Sequence, residues 1–378
     1  MPHQEPMRGA HQGPMRGAHQ GPMRGAHQWQ GVIEEYREWL PVDENTPVIT
    51  LGEGGTPLVH SDWLSGLVSG DVWLKVEGDN PTGSFKDRGM TLAISDAVGE
   101  GAKAVVCAST GNTSASMTAY AARAGLTPIV LVPLGRIAAG KMAQTVMHGA
   151  EVIQVRGGFD ECLQISRELA EQYDVALVNS VNPMRLQGQK TAAFEIIDAL
   201  GRAPDVHILP VGNAGNISAY WIGFKQYEKA GLAERTPQLW GFQAAGAAPL
   251  VLGEPVPNPE TVASAIRIGN PASWLLAESA RDDSHGRIEA VSDEQILAAQ
   301  RELSSRDGVF VEPASAAGVA GLVAAFESGD VEPGQTITVT VTGHGLKDID
   351  TALAGIDSIV DSVIDVDVRE AAAIAGLA

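Results

Sequence analysis

Cysteine is almost missing from this chain: Cys107 and Cys162 are the only two in 378 residues. With no CxxC spacing they exclude a disulfide framework and a dithiol redox motif. Their surroundings, AVVCAST and FDECLQI, are apolar or helix-like, so both are expected to be buried structural thiols. Long apolar runs are missing too. No stretch reaches the roughly 18 apolar residues that a membrane span needs. No apolar signal core stands near Met1, so a cytoplasmic protein is expected. Positive charge is scarce: 26 Lys and Arg face 46 Asp and Glu, a formal net charge of -20. That balance argues against nucleic acid or an anionic membrane surface as partner. Only 19% of residues are charged, so the acidity is an excess of one sign and wholesale disorder is not expected.

What is present begins with a repeat. PMRGAHQ recurs three times within residues 1–28, with Met7, Met15 and Met23 in register. Gly and Pro in every unit oppose helix and strand, and the period is too short for a solenoid. This segment reads as a disordered tail of net charge +2, from three Arg and one Glu, leaving about -22 on the body. Its His3, His11, His19 and His27 sit in flexible chain and form no preorganised metal site. No metal is expected elsewhere.

The body alternates. β-rich apolar runs stand at 72–76, 104–108, 128–133, 151–155, 175–179, 206–211, 238–243 and 336–342. Helix-period segments lie between them at 113–124, 139–148, 160–172, 188–200 and 216–230. Strands apolar on both faces, alternating with helices, predict an α/β protein with parallel sheets. Length suggests two domains. In such folds the ligand lies beyond the carboxyl ends of the strands. The turns there are EGDNPTGSFKDRG (77–89), STGNTSAS (109–116), GNAGN (212–216) and GHGLKD (343–348). All are rich in Gly, Asn, Ser or Thr, as suits backbone that approaches a ligand closely.

Each turn has a chemistry and a plain structural reading. Lys86 follows a Gly-Ser turn and neighbours Phe85; desolvation there would lower its pKa and make it a nucleophile and base. The plain reading of a lone lysine is a solvated surface charge. Asp87 and Arg88 read as structural. Gly212, Asn213, Ala214, Gly215 and Asn216 offer consecutive backbone N–H groups at a helix start, an anion nest that is neither a GK[ST] phosphate loop nor a GxGxxG turn. Ser109, Thr110, Asn112 and Thr113 offer hydroxyls and an amide, for a carboxylate or for capping the helix; one hydroxyl is expected to cap in either case. In NSVNPMRLQGQKT (179–191), Arg185 stands with Ser180, Asn182 and Lys190 as a candidate anion clamp; the plain reading is a surface arginine paired with a carboxylate.

In this order, PTGSFKDRG, STGNTSAS, RLQGQKT, GNAGN and TGHGLKD resemble the threonine synthases, pyridoxal-phosphate enzymes of the tryptophan-synthase-β-like fold. The likeness spans roughly residues 30 to 375; SFKDR is shared across the superfamily, whereas the five motifs in register are far more specific. The resemblance implies two parallel-sheet-rich α/β domains with the cofactor in the cleft between them. Residues 29–76 and 188–378 would form the large cofactor domain and 77–187 a small mobile one. It implies that Lys86 links to pyridoxal 5'-phosphate as a Schiff base, with Phe85 near the ring. Asn112 would meet the 3-hydroxyl oxygen, Gly212, Asn213, Ala214, Gly215 and Asn216 the phosphate, and Thr342 the ring nitrogen. Ser109, Thr110 and Thr113 would hold a substrate α-carboxylate; Ser180 and Arg185, supported by Asn182 and Lys190, would hold a substrate phosphate. The implied reaction converts O-phospho-L-homoserine and water to L-threonine and phosphate, in a cytoplasmic enzyme that is a homodimer.

Three other readings stand beside it. One is a threonine dehydratase of the same fold, although the dehydratases carry a histidine in the asparagine loop and a Gly-tetrad phosphate loop. Another is a cysteate synthase, which also needs a phosphate site. The third is a binding homologue without activity, against which Lys86 argues. For the C-terminal run DSIVDSVIDVDVREAAAIAGLA, a strand and a short helix closing the large domain are expected.

Overall fold

The computed structural model describes residues 28–135, 139–180, 182–354, 358–360 and 362–377. The repeat tail read over 1–28 lies outside them, apart from Gln28. The strands form two sheets. One has the order β1 (Leu58–His60), β2 (Asp71–Val76), β10 (Thr336–Val341), β7 (Val206–Pro210), β8 (Gln238–Ala244), β9 (Arg287–Val291). The other runs β5 (Glu151–Val155), β4 (Thr127–Pro133), β3 (Ala104–Ala108), β6 (Val175–Leu177). Every pairing is parallel except β1 against β2. All residues of β3, β7 and β10 are buried, which explains why these strands read as unbroken apolar or threonine-rich runs.

Because β10 lies between β2 and β7, the turns after these three strands sit side by side. Helices cover the sheets. Pro313–Glu327, PASAAGVAGLVAAFE, is made almost wholly of small residues and packs against β7, β8 and β10. Pro313 at its first turn costs no hydrogen bond, since that N–H has no intrahelical partner. Helices Lys86–Gly99 and Pro183–Gln189 cross closely. A Cβ at Gly188 would stand 1.8 Å from the Arg88 carbonyl oxygen, so only glycine permits the crossing.

Between these helices and β2 lies a buried ion cluster. Arg88 Nε donates to Glu77 at 2.6 Å, while its Nη1 and Nη2 donate to Glu195 at 2.5 and 2.7 Å. Lys75 Nζ also donates to Glu195 Oε2, at 2.6 Å. Two cations holding it push Glu195 down to about 2, against the opposing effect of burial. Removing one member of such a set strands a buried charge, and that makes the set unforgiving.

Three expectations need correction. β1 and β9 were not foreseen: β1 has three residues, and β9 is the edge strand RIEAV, whose charges interrupt any apolar run. The helix expected over 188–200 is two helices, Pro183–Gln189 and Thr191–Leu200, meeting at Lys190. The C-terminal run holds the helix Val368–Ile374, but that helix buries no residue and the described residues of the run include no strand, so it closes nothing. Both cysteines are buried and free. Among the described residues no helix is long and apolar enough to cross a membrane.

Candidate active site

The turns at the carboxyl ends of β2, β7 and β10, with Asn112 beyond β3, converge on one cavity of about 70 Å³. Lys86, Phe85, Asn112, Ser180, Arg185, Thr342 and Gly212 through Asn216 all line it. Lys86 opens its helix, directly after the turn that leaves β2. Surrounding protein and the positive charge of Arg185 lower its amine to about 7, and Glu312 opposes them. Near neutrality such an amine is available in both protonation states. Phe85 is anchored by its N–H, which donates to Thr342 O at 3.0 Å, and its ring lies 4.2 Å from the Lys86 amine.

GNAGN forms a tight turn into helix Gly215–Lys229. Ala214 takes the left-handed conformation at φ 65°, and a Cβ on Gly212 would meet Ile266 Cα at 2.9 Å. The helix's first N–H groups have no intrahelical acceptor, so the turn offers the cavity a row of donors. Asn216 Nδ2 is buried without a hydrogen-bond partner. Arg185, also in the lining, is buried, and its Nε and Nη1 have no partner. Burial lowers its guanidinium to about 10, and Cys107 opposes the shift. A buried arginine with unpaired donors is costly unless an anion joins it. Asn213 Nδ2 donates to Ser180 Oγ at 2.6 Å, tying the glycine-rich turn to the arginine segment.

A larger cavity of about 470 Å³ opens elsewhere, beside Trp29, Tyr36, Lys75 and Glu195. Its polar groups satisfy one another: Lys75 holds Glu195 and Thr56 O, and Tyr36 donates to Asp198 at 2.8 Å. Size favours that cavity. The unpaired donors favour the smaller one, and chemistry decides between them.

Several sequence candidates are placed differently. Lys190 turns away: its ammonium donates to Trp39 O at 2.7 Å and Gln187 Oε1 at 2.5 Å. Asn182 caps helix Pro183–Gln189, accepting from Met184 N at 2.9 Å and donating to Leu177 O at 3.1 Å. The support expected from these two thus goes to the protein's own groups instead. Ser109, Thr110 and Thr113 flank Asn112 but do not line the cavity. No hydroxyl caps helix Asn112–Ala124; its N-cap is Gly111, whose N–H donates to Ser109 Oγ at 3.2 Å.

Glu312 was missed altogether. It is buried in the cavity wall and accepts both Asn112 Nδ2 contacts, at 3.0 and 3.1 Å. Burial raises its pKa, which Asn112 and Lys347 oppose. Nothing local marks it in a chain with 46 acidic residues. Asp87 and Arg88 are structural, as expected. Asp87 accepts from Thr82 N, Thr82 Oγ1 and Ser116 Oγ, at 2.7, 2.6 and 2.5 Å.

A buried amine that shares a cavity with two sets of unpaired anion-seeking donors suits a phosphorylated aldehyde cofactor and a second anion. The family model described as pyridoxal-phosphate dependent enzyme matches residues 49–343, and the chain belongs to that family. Within it the chain is similar to the threonine synthase of Mycobacterium tuberculosis, at 59% identity over 89% of this chain and 94% of that one. It is also similar to the threonine synthase of Halalkalibacterium halodurans, at 55% identity over 87% and 93%. Among solved structures, the T.th. threonine deaminase aligns at TM-score 0.65 and 28% identity, over 76% of this chain and 92% of that one.

Proposed function

We propose that this chain is a threonine synthase, a pyridoxal-phosphate-dependent lyase that converts O-phospho-L-homoserine and water to L-threonine and phosphate. One observation carries the reading: a single cavity is lined by a lysine amine lowered to about 7, by the Gly212–Asn216 turn with its unpaired Asn216 amide, and by Arg185 with unpaired guanidinium nitrogens. Two phosphates and one amine are what the substrate and cofactor together require. The dehydratase and cysteate synthase readings are not favoured, since the relatives at 55–59% identity are threonine synthases.

The residues present fit the cofactor. Lys86 would hold its aldehyde carbon, the 212–216 turn with Asn216 its phosphate, Asn112 its 3-oxygen and Thr342 its ring nitrogen. When bound, pyridoxal phosphate supplies an electrophilic carbon and a sink for negative charge developing on the substrate. The remaining work falls to the chain. Lys86 moves protons at the α- and β-carbons, since among the described residues it is the one amine in the cavity wall. Arg185 and Ser180 grip the phosphate that departs from the γ-carbon. Water's oxygen adds at the β-carbon, and protons return to the γ- and α-carbons. Ser109, Thr110 and Thr113, at the start of helix Asn112–Ala124, would hold the α-carboxylate once the substrate is in place. Gripping the phosphate far from the reacting α-carbon uses binding energy to orient the bonds that break.

A cavity of about 70 Å³ falls well below the roughly 300 Å³ of a typical small-molecule site. Admission of cofactor and substrate therefore calls for part of the unit of residues 77–187 to move away from the unit of 29–76 and 188–378, and then to close and exclude water, while its first segment through Arg88 stays held by the Phe85–Thr342 and Arg88–Glu195 bonds. The enzyme so proposed is a cytoplasmic homodimer and needs no metal. The test is direct: incubate the protein with pyridoxal phosphate and O-phospho-L-homoserine, phosphoserine or threonine in turn. Phosphate and threonine from the first alone support the reading; ammonia from threonine as the main reaction overturns it.

A further inference from the structure

We infer that Ser315 is a positioning residue that aims the hydroxyl proton of Thr342 into the cavity, making Thr342 a hydrogen-bond donor to the cofactor's ring nitrogen. The inference rests on the reading above, in which Thr342 meets that nitrogen.

Ser315 is fully buried in the first turn of helix Pro313–Glu327. Its Oγ lies 2.9 Å from Thr342 Oγ1 and 3.2 Å from Gly343 O, and it accepts the Gly343 N–H at 2.8 Å. A serine hydroxyl has one proton to give and two lone pairs. Two arrangements satisfy these contacts. In the first, Ser315 donates to Gly343 O and Thr342 donates to Ser315, so Thr342 offers the cavity only lone pairs. In the second, Ser315 donates to Thr342, whose own proton is then free.

Local competition selects the second. The contact to Thr342 is the shorter of the two, and Gly343 O already accepts the Glu312 N–H at 3.0 Å. The backbone cannot swing Thr342 away: its carbonyl is held by the Phe85 N–H at 3.0 Å, and Gly343 is bridged to Ser84. A hydroxyl proton aimed into a buried cavity is unfavourable without an acceptor. An unprotonated ring nitrogen supplies one; a protonated nitrogen would meet the hydroxyl proton head-on. Ser315 and Thr342 together therefore select the unprotonated ring, the weaker electron sink. Neither Ser315 nor this direction of donation is apparent from the motif TGHGLKD, because Ser315 lies on another helix.

The experiment loads the full chain with pyridoxal phosphate carrying a 15N label in the ring and reads that nitrogen by NMR. The wild-type resonance is expected at the position of an unprotonated, hydrogen-bonded ring. In Ser315→Ala the Thr342 proton is no longer directed, and the resonance should move downfield, towards an unprotonated ring with no donor. Thr342→Val should move it at least as far, and adding Ser315→Ala to Thr342→Val should move it no further. Ser315→Cys, close in volume but a weak donor, should give an intermediate position and serves if the alanine variant folds poorly. A protonated ring in the wild type overturns the inference. So does an unchanged resonance in both Ser315 variants, or a double variant whose shifts add. A wild-type protein that takes up no cofactor overturns the underlying reading, and this inference with it.

Discussion

Lys86 and Arg185 share one cavity, and the arginine weighs on the lysine. The guanidinium's charge, added to burial, holds the amine at about 7. Burial in turn lowers the guanidinium to about 10. Two positive groups so close are poorly stabilised until anions arrive, which is the condition a site for two phosphates needs. If Lys86 is the base, Lys86→Ala should lower threonine formation by at least ~10²-fold. Its urea unfolding midpoint should stay near wild type, since burying an amine adds little to the stability of a fold. Arg185→Ala should weaken the substrate far more than the cofactor. Losing a charge-assisted pair corresponds to roughly 10- to 100-fold in KM for O-phospho-L-homoserine. Cofactor affinity, measured by fluorescence titration, should change several times less, because the 212–216 turn holds the other phosphate. Equal losses in both would place Arg185 on the wrong phosphate.

At the scale of the element, legibility followed local chemistry. The strand runs stood out wherever burial on both faces demanded unbroken apolar or β-branched residues, as in AVVCA and TITVTV. β9 did not stand out, because an edge strand keeps charge on one side. The turn residues around Lys86 and GNAGN were legible because a close backbone approach leaves glycine in the sequence. Glu312 was not, since a carboxylate becomes a site residue only through what folding sets against it, here Asn112. Lys190 and Asn182 were over-read: a polar cluster looks the same whether its groups face a ligand or cap a helix. Gly188, which no sequence signal singled out, also marks a close backbone approach. In Gly188→Ala the new methyl would meet the Arg88 carbonyl, which is backbone and cannot yield. The two helices must separate, at a cost of roughly 1–3 kcal/mol or more, visible as a lower urea midpoint. Because one helix carries Lys86 and the other Arg185, substrate affinity should fall with it.

His207 shows the same coupling between strands. Its ring sits between Thr338 and Thr340 of β10, Nδ1 2.7 Å from Thr338 Oγ1, and stacks on Tyr220 at 4.4 Å. Burial lowers its pKa from 6.5 to about 3. Above pH 6.5 the ring is neutral whether the chain is folded or not, and its contribution to stability is fully present. As pH falls from 6.5 towards 3 the unfolded chain takes up a proton that the folded chain refuses, so stability is lost. Between pH 7 and 5 this loss amounts to about 2 kcal/mol. His207→Gln should lower stability at pH 7 yet flatten the change between pH 7 and 5 by about that amount, read from urea midpoints. Equal pH slopes for variant and wild type would show that the ring is protonated inside the fold.

Over the whole molecule the acidic excess works against the proposed ligands. A net charge of -20 repels a dianionic phosphate ester at a distance, while Arg185 and the 212–216 turn attract it at contact. The two effects differ in range. Repulsion acts across solvent and is largely screened beyond the Debye length of about 10 Å at 0.1 M salt. The contacts in the cavity are made in a buried site and are screened far less. Salt therefore removes the penalty before it removes the attraction. For O-phospho-L-homoserine, kcat/KM should rise a few-fold as sodium chloride increases from roughly 10 mM to 0.15 M and then level off. Cofactor loading should be saturated throughout, so that substrate capture alone is read. A monotonic fall over the same range would mean that a local positive field outside the cavity, and not the acidic surface, governs the approach.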